Sequence, residues 1–379
     1  MIKALIISMG GTSTEVHYML GLLNDMHNVE VTIAIPNSTD SSYIAEIERC
    51  FNVTKVIKLN VPDNLLTFFI KLFNPLFHYY LCKTINYKYD LTHFVFEWRL
   101  PITWVYYLLK RGPVILTVHE PRATFNTSSR KIFWNKLQEL NCMLVSKMSD
   151  KVIVHGNKHK DFLISKGVNK EKINIIPHGQ FSFLRDQNVG NSDTTNNNIL
   201  FFGKIKSYKG IPYFIQAVKL LHNKFPSMKV TIAGSGDFDQ YRPLIKGYDC
   251  FQIENRFIPD SEVGDFFSRA SMVVMPYTDG SQSGIISIAA SYKKPVIATK
   301  VGHFNEMILH EKTGLLVPPK NPEALAQAIE KLLVNEEIRV QMGQNAYDFM
   351  NTNFSWQNIA EKYYLAYKKL INESSHPLT

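Results

Sequence analysis

The sequence predicts two successive α/β domains, each built on a doubly wound parallel sheet. Three observations carry this prediction. Short β-branched apolar runs alternate with helix-period segments along most of the chain, and a glycine-bearing turn follows the first strand of each half. A strongly polar stretch, Arg185 to Asn198, then interrupts the alternation as a solvated loop would. With 379 residues, 45% of them hydrophobic and 20% charged, the chain can fill two or three separate cores. A small disulfide-stapled scaffold and long disordered tracts are excluded.

In chain order, residues 3–8 read as a strand and Gly10, Gly11, Thr12 and Ser13 as a turn. Val16, Met19, Leu20 and Leu23 form the apolar side of the helix that follows. Similar runs at 29–35, 55–59, 91–96, 113–118 and 151–156 have helical patterns between most of them, which indicates right-handed βαβ units. The boundary falls just before or within the polar stretch, giving a first domain over 1–184 and a second over 185–355. The second alternates strands at 198–203, 229–234, 251–257, 272–277 and 295–299 with helices at 210–224, 241–247, 261–271, 285–292 and 322–334. Trp356 to Leu370 carries Ile359, Tyr363, Tyr364, Ala366, Tyr367 and Leu370 at helical spacing and predicts a last helix. Two such sheets facing each other would form a cleft at the carboxyl ends of their strands, lined by the glycine loops.

Charge and cysteine usage narrow the classes. A net charge of +9 is compatible with nucleotides, nucleic acid or anionic lipid, and no nucleic-acid-binding module is present to favour the second. Cys50, Cys82, Cys142 and Cys250 are far apart, with no CxxC pair and no zinc-like histidine spacing, so a reduced cytosolic setting and no metal site are expected. The N-terminal apolar run is too short for a secretory leader. The longest apolar stretch, Leu65 to Leu81, is broken by Lys71, Asn74 and Pro75, so a soluble or membrane-surface protein is expected.

Two loops of the second half carry candidate chemistry. Gly203-Lys204 ends a strand, and Lys209-Gly210 opens a helix, so both ammonium groups can face the carboxyl edge of the sheet. A diphosphate leaving a sugar gains negative charge on its bridging oxygen, and fixed cations lower that barrier. Solvated loop lysines are the alternative, and the preferred reading for Lys206. Ser281, Gln282, Ser283 and Gly284 precede the 285–292 helix, where the backbone of Ser283, Gly284 and Ile285 can cradle a phosphate. An ordinary serine cap without a ligand is the competing reading.

The order of these motifs resembles the retaining glycosyltransferases of family 4, whose architecture, GT-B, is two facing Rossmann-like domains with a central cleft. The resemblance runs through Gly10-Gly11-Thr12, His119-Glu120, Ile176-Pro177-His178-Gly179 and Gly203-Lys204 to Lys209-Gly210. It continues through Gly234-Ser235-Gly236, Pro295 to Glu306, Lys312 to Val317 and Asn321 to Leu325. One departure stands out: the two glutamates common around the donor sugar and ribose are replaced by Gly280 and Ile288. Members that build bacterial surface polysaccharides likewise have Ser-Gln-Ser-Gly where others have Glu-Gly-Phe-Gly. Asp279 is either the substitute acid or a turn former.

The resemblance implies transfer of a sugar from a UDP- or GDP-linked donor to a hydroxyl acceptor with retention of configuration. The acceptor would be a lipid-linked or polysaccharide precursor. His119, Lys204 and Lys209 would be catalytic. The donor would meet Gly10, Gly11, Thr12, Gly203, Ser281, Gln282, Ser283, Gly284, Ile285, Asp279 and Glu306; Glu306 is alternatively a helix cap. Glu97 and Glu120 would serve the acceptor, with a loop ion pair as the alternative for Glu97. His119, at the end of a strand, would orient a hydroxyl or relay a proton near neutral pH, unless it is a structural histidine. His155 and His178 are expected to line the site. No metal or other cofactor is required, because lysines and a helix start replace a divalent ion. The last helix would cross back onto the first domain. Eight basic residues against two acidic ones over Arg122–Lys160, beside Ile132, Phe133, Trp134, Leu137, Leu140 and Met143, offer two readings. One is a peripheral contact with the anionic inner face of the cytoplasmic membrane; the other is a core-facing helix with a solvated back. The alternatives in function are an inactive partner subunit of the same fold, suggested by the missing glutamates, and a nucleotide-sugar epimerase.

Overall fold

The structure, a computed structural model, describes residues 1–8, 13–59, 89–95, 112–121, 129–180, 197–280 and 283–375. The chain divides into two compact units, one of Met1–Gly179 with Trp356–Thr379 and the other of Gln180–Ser355. Each is organised around an all-parallel sheet.

In the first unit the strands are β1 (Ile2–Ile7), β2 (Val29–Pro36), β3 (Val53–Leu59), β4 (Leu91–Phe94), β5 (Val114–Val118), β6 (Lys151–Val154) and β7 (Ile173–Ile175). They lie in the order β3-β2-β1-β4-β5-β6-β7. The strand order in the sheet reverses between β1 and β4, which run parallel in register from Ala4↔Leu91 to Ile7↔Phe94. Strands buried on both faces need continuous apolar side chains, which is why Ala4 to Ile7 and Val114 to Leu116 are all fully buried. Helices α1 (Ser13–Asn24), α2 (Ser41–Glu48), α3 (Ser129–Met148) and α4 (Asn157–Ser165) connect these strands among the described residues. Helix α3 puts Cys142 and Val145 into the core beneath β5 and β6, whereas Leu140 stays 46% exposed. Its C-terminal half is therefore a core-facing helix; the side chains of Ile132, Phe133, Trp134 and Leu137 lie outside the described residues. No helix among the described residues is long and apolar enough to cross a membrane.

The last helix, α12 (Trp356–Ser375), belongs to this unit. Ile359, Ala360, Tyr363, Ala366, Tyr367 and Leu370 form its buried stripe against Tyr18, Met19, Leu22 and Leu23 of α1. Gly21 and Gly179 make room for the Trp356 ring, since a Cβ at either position would lie 2.2 or 2.5 Å from it.

In the second unit, β8 (Asn198–Phe202), β9 (Lys229–Ala233), β10 (Phe251–Glu254), β11 (Met272–Met275), β12 (Val296–Thr299) and β13 (Gly314–Val317) lie in the order β10-β9-β8-β11-β12-β13. The reversal here falls between β8 and β11. Helices α5 (Ile211–His222), α6 (Arg242–Ile245), α7 (Asp260–Arg269), α8 (Gly284–Ser291), α9 (Phe304–Met307), α10 (Pro322–Val334) and α11 (Glu336–Phe354) surround it. Helix α10 starts at Asn321, whose side chain accepts from the Ala324 N–H at 2.8 Å, with Pro322 at the first helical position. Two elements were not anticipated: β13 and α11. Strand β13 is a four-residue run opened by a glycine. Helix α11 buries Met342, Gly343, Ala346, Met350 and Phe354 along one face, with Arg339 buried near its start. It packs by close approach, with a Cβ at Gly343 falling 1.9 Å from the Lys293 carbonyl oxygen.

Candidate functional site

Ligands of doubly wound sheets bind at the carboxyl edge where the strand order reverses. In the second unit that edge carries the loop after β8 and the loop after β11. The chain leaves β8 through Gly203, at φ 113°, and reaches Lys209 in a single 3₁₀ turn, Ser207–Lys209, that ends at Gly210 in the left-handed region with φ 69°. A Cβ on Gly210 would sit 1.9 Å from the Pro276 carbonyl oxygen, so glycine lets the lysine loop rest directly on the end of β11. The Thr278 N–H donates to the Tyr208 carbonyl at 2.7 Å and fixes the two loops together.

This clamp turns Lys209 inward. The side chain is 8% exposed, its ammonium donates to the Tyr277 hydroxyl at 2.7 Å, and it lies 4.7 Å from the centre of that ring. Burial pulls the Lys209 pKa below the ordinary lysine value, with the neighbouring Lys204 adding to the fall and Tyr208 opposing it. The phenol oxygen and the ring face offset part of the desolvation cost while leaving the positive charge uncancelled. A Cβ on Gly203 would lie 2.9 Å from the ammonium nitrogen, so Gly203 is what gives Lys209 its place. Lys204 is exposed at the rim of the same loop, and Lys206 is solvated as expected.

Ser283 caps α8, its hydroxyl accepting from the Ile285 N–H at 3.4 Å. It also hydrogen-bonds Tyr277, whose phenol burial raises to about 12. Lys209, Tyr277, Ser283 and the first turn of α8 thus form one hydrogen-bonded group beside Gly203. Its net charge is positive, and the start of α8 adds the favourable end of the helix dipole. Asp279, in contrast, is exposed and accepts from the Gly280 N–H at 2.7 Å, the geometry of a turn residue. Ile288 is buried in the core. Glu306 sits in the short α9 with its carboxylate 3.1 Å from Nδ1 of the buried His303. Gly10, Gly11, Thr12, Glu97, Ser281 and Gln282 lie outside the described residues.

In the first unit, His119 ends β5. Its Nδ1 is 2.9 Å from His155 Nε2, and His155 Nδ1 is 2.9 Å from the Ile176 carbonyl oxygen. His178 stands 5.6 Å from His155 between ring centres, and Tyr18 and Trp356 pack against it. Burial holds the His119 imidazole well below the usual histidine range, with His155 and His178 pushing it further down; burial also lowers His178 to about 4. Both rings are neutral near pH 7. The neutral imidazole of His119 is the form that can orient a hydroxyl. Glu120 approaches His159 Nε2 at 3.6 Å. His93 is fully buried within β4, bonded to Tyr367 at 2.6 Å and Thr117 at 2.7 Å, and burial brings it to about 3. Thr117 bonds Tyr363 at 3.2 Å and Tyr363 bonds Tyr18, a buried polar chain that ties α12 to the sheet.

Sequence reasoning missed Tyr277. A tyrosine after a buried strand has the same pattern as any core aromatic, and only the fold shows that its hydroxyl meets Lys209. Among the described residues, no group of three or more His, Cys, Asp or Glu is arranged to hold a metal ion.

Comparison with known proteins identifies what the two units resemble. The model of the family Glycosyltransferase Family 4 matches residues 9–179, and that of Glycosyl transferases group 1 matches residues 182–349. An uncharacterized glycosyltransferase of Methanocaldococcus jannaschii is 29% identical over 242 residues, 61% of this chain, and the match spans only 57% of that relative's length. The sucrose-phosphate synthase of Thermosynechococcus elongatus shares the fold with a TM-score of 0.73 at 19% identity, over 99% of this chain and 100% of its own. HepE of Anabaena, solved with UDP and glucose, has a TM-score of 0.74 at 16% identity, over 98% and 100%.

Proposed function

We propose that this chain, a GT-B glycosyltransferase by the two family models that match residues 9–179 and 182–349, transfers a sugar from a nucleoside diphosphate donor to a hydroxyl acceptor with retention of configuration. The observation that carries the reading is the buried ammonium of Lys209, held beside the start of α8. A lysine so desolvated is stabilised further when an anion arrives, which is the arrangement a departing diphosphate needs. The sugar C1–O bond breaks with its electron pair going to the phosphate oxygen. The acceptor oxygen forms the new bond, and its proton passes to a base or to solvent. Lys209 and Lys204 counter the charge that grows on the leaving group, and the Ser283–Gly284 backbone binds a phosphate oxygen, so the scheme uses no divalent ion. HepE was solved with UDP, which supports a uridine donor here; GDP is the other candidate.

The first unit selects the acceptor, with neutral His119 orienting a hydroxyl and Glu120 near it. A lipid-linked or polysaccharide precursor is the acceptor this reading favours, with the basic 122–160 segment approaching anionic lipid. Co-sedimentation with vesicles containing phosphatidylglycerol tests that part. A second reading, a partner subunit without catalysis, is favoured by the absence of carboxylates at Gly280 and Ile288. A thermal-shift panel of UDP, GDP and their sugars decides first, because a specific ligand raises stability by RT ln(1 + [L]/Kd). Stabilisation by one nucleotide followed by sugar transfer is expected. Flat responses throughout overturn the reading, and binding without turnover across lipid-linked acceptors supports the partner subunit.

A further inference from the structure

Lys209 and Ser283 come from separate elements, a 3₁₀ turn after β8 and the cap of α8, yet both bond one phenol oxygen. Tyr277 is 3% exposed, its ring is edge-on to Phe304 at 5.4 Å and to Tyr208 at 6.0 Å, and its carbonyl accepts from Thr299 Oγ1 at 2.5 Å. Such a ring has no freedom to swing, so its hydroxyl is a fixed point. An ammonium has three N–H donors, and the one given to Tyr277 leaves two for a ligand. A carboxylate in this place would cancel the charge and repel phosphate; phenylalanine would leave a buried cation without that acceptor. A neutral phenol does neither.

We propose that Tyr277 is the positioning residue of the site, its hydroxyl aiming the Lys209 ammonium and registering it against the Ser283 cap so that both meet the same diphosphate. The inference rests on the donor reading above for the identity of the ligand. It concerns a part of the site that the reading does not require, since Lys209 could bind an anion without an anchor.

The charged and titratable groups that face Lys209 are Lys204 and Tyr208 on its own loop and Tyr277 on the loop after β11. Removing the phenol oxygen takes away an acceptor that favours the charged lysine, so its pKa falls further and its charge is lost at lower pH. In Tyr277→Phe, UDP affinity measured by calorimetry should fall by about tenfold or more. The alkaline limb of binding should move to lower pH, and lysine NMR on unliganded protein should show Lys209 titrating below its wild-type position. Lys204→Ala should move that titration the other way, because a like charge is gone. A uniform loss of affinity with the Lys209 titration unmoved would mean a merely structural tyrosine and overturns the proposal, as does unchanged binding. If wild type binds neither UDP nor GDP while the lysine titration shifts as expected, the donor reading fails and the anchor stands. Should the variant not fold, wild type alone decides: Lys209 must titrate below the exposed lysines with slowly exchanging ammonium protons. A Lys209 that titrates with them overturns the anchor.

Discussion

Replacing Gly203 by alanine tests the site through its backbone. Gly203 has φ 113°, a region open to glycine and strained for alanine, and the added Cβ would lie 2.9 Å from the Lys209 ammonium. The backbone term costs on the order of 1–3 kcal/mol. In a unit of this size that lowers the unfolding temperature by about 2–10 °C. The steric term is relieved cheaply, because the atom in the way is the far end of a flexible side chain; Lys209 moves aside and leaves Tyr277. Losing a charge-assisted hydrogen bond of about 1.5–3 kcal/mol then weakens diphosphate binding by about 10- to 150-fold. Gly247→Ala is the control, with φ 85° and nothing within 4 Å of the added Cβ, so it carries strain alone. Calorimetric UDP titration and thermal unfolding of both variants separate the terms. The reasoning is refuted if Gly203→Ala binds UDP as tightly as Gly247→Ala.

Lys209→Ala should reduce turnover by about 10²–10³. Its unfolding temperature should not drop, because removing a buried cation also removes its desolvation cost; a large loss of stability would show a structural lysine. Acid should destabilise the first unit: His93 and His178 fold with pKa values of about 3 and about 4, below the ordinary histidine value of 6.5 that their unfolded forms take. Their contribution is complete above pH 6.5 and is lost as pH falls from there towards those folded values, at up to about 1.4 kcal/mol per pH unit for each histidine. Urea unfolding between pH 7.5 and 5 should show the slope, and His93→Gln should flatten it. Gly21→Ala drives a Cβ to within 2.2 Å of the rigid Trp356 ring. Overpacking of about 1–3 kcal/mol is expected, read as earlier unfolding and loss of Trp356 fluorescence intensity changes specific to α12 docking.

Both sheets could be read from the sequence because parallel strands buried on two faces leave continuous apolar runs, as Ala4–Ile7 and Val273–Met275 do. Lys204, Lys209 and Ser283 could be read because glycine and a helix cap flank them. What did not come through is pairing between distant positions. That Lys209 faces Tyr277 depends on β8 and β11 being neighbours in the sheet, and no local pattern encodes this. His155 was legible as a strand-end histidine, but not its bond to His119, which needs β5 beside β6. Helix α11 was missed for a different reason: its buried face mixes Arg339, Gly343 and Ala346 with Met342, Met350 and Phe354, which weakens the hydrophobic period.

The assignment of α12 to the first unit fixes the order in which the protein can be completed during synthesis. Residues 180–355 can emerge from the ribosome as a whole and close their own core, whereas Tyr18 and His93 wait for Tyr363 and Tyr367, made after them. Until then the nascent N-terminal sheet exposes the apolar surface that Ile359 and Leu370 will cover. The first unit therefore completes its folding only after the second has been made, and chaperones have a defined interval in which this half is their client.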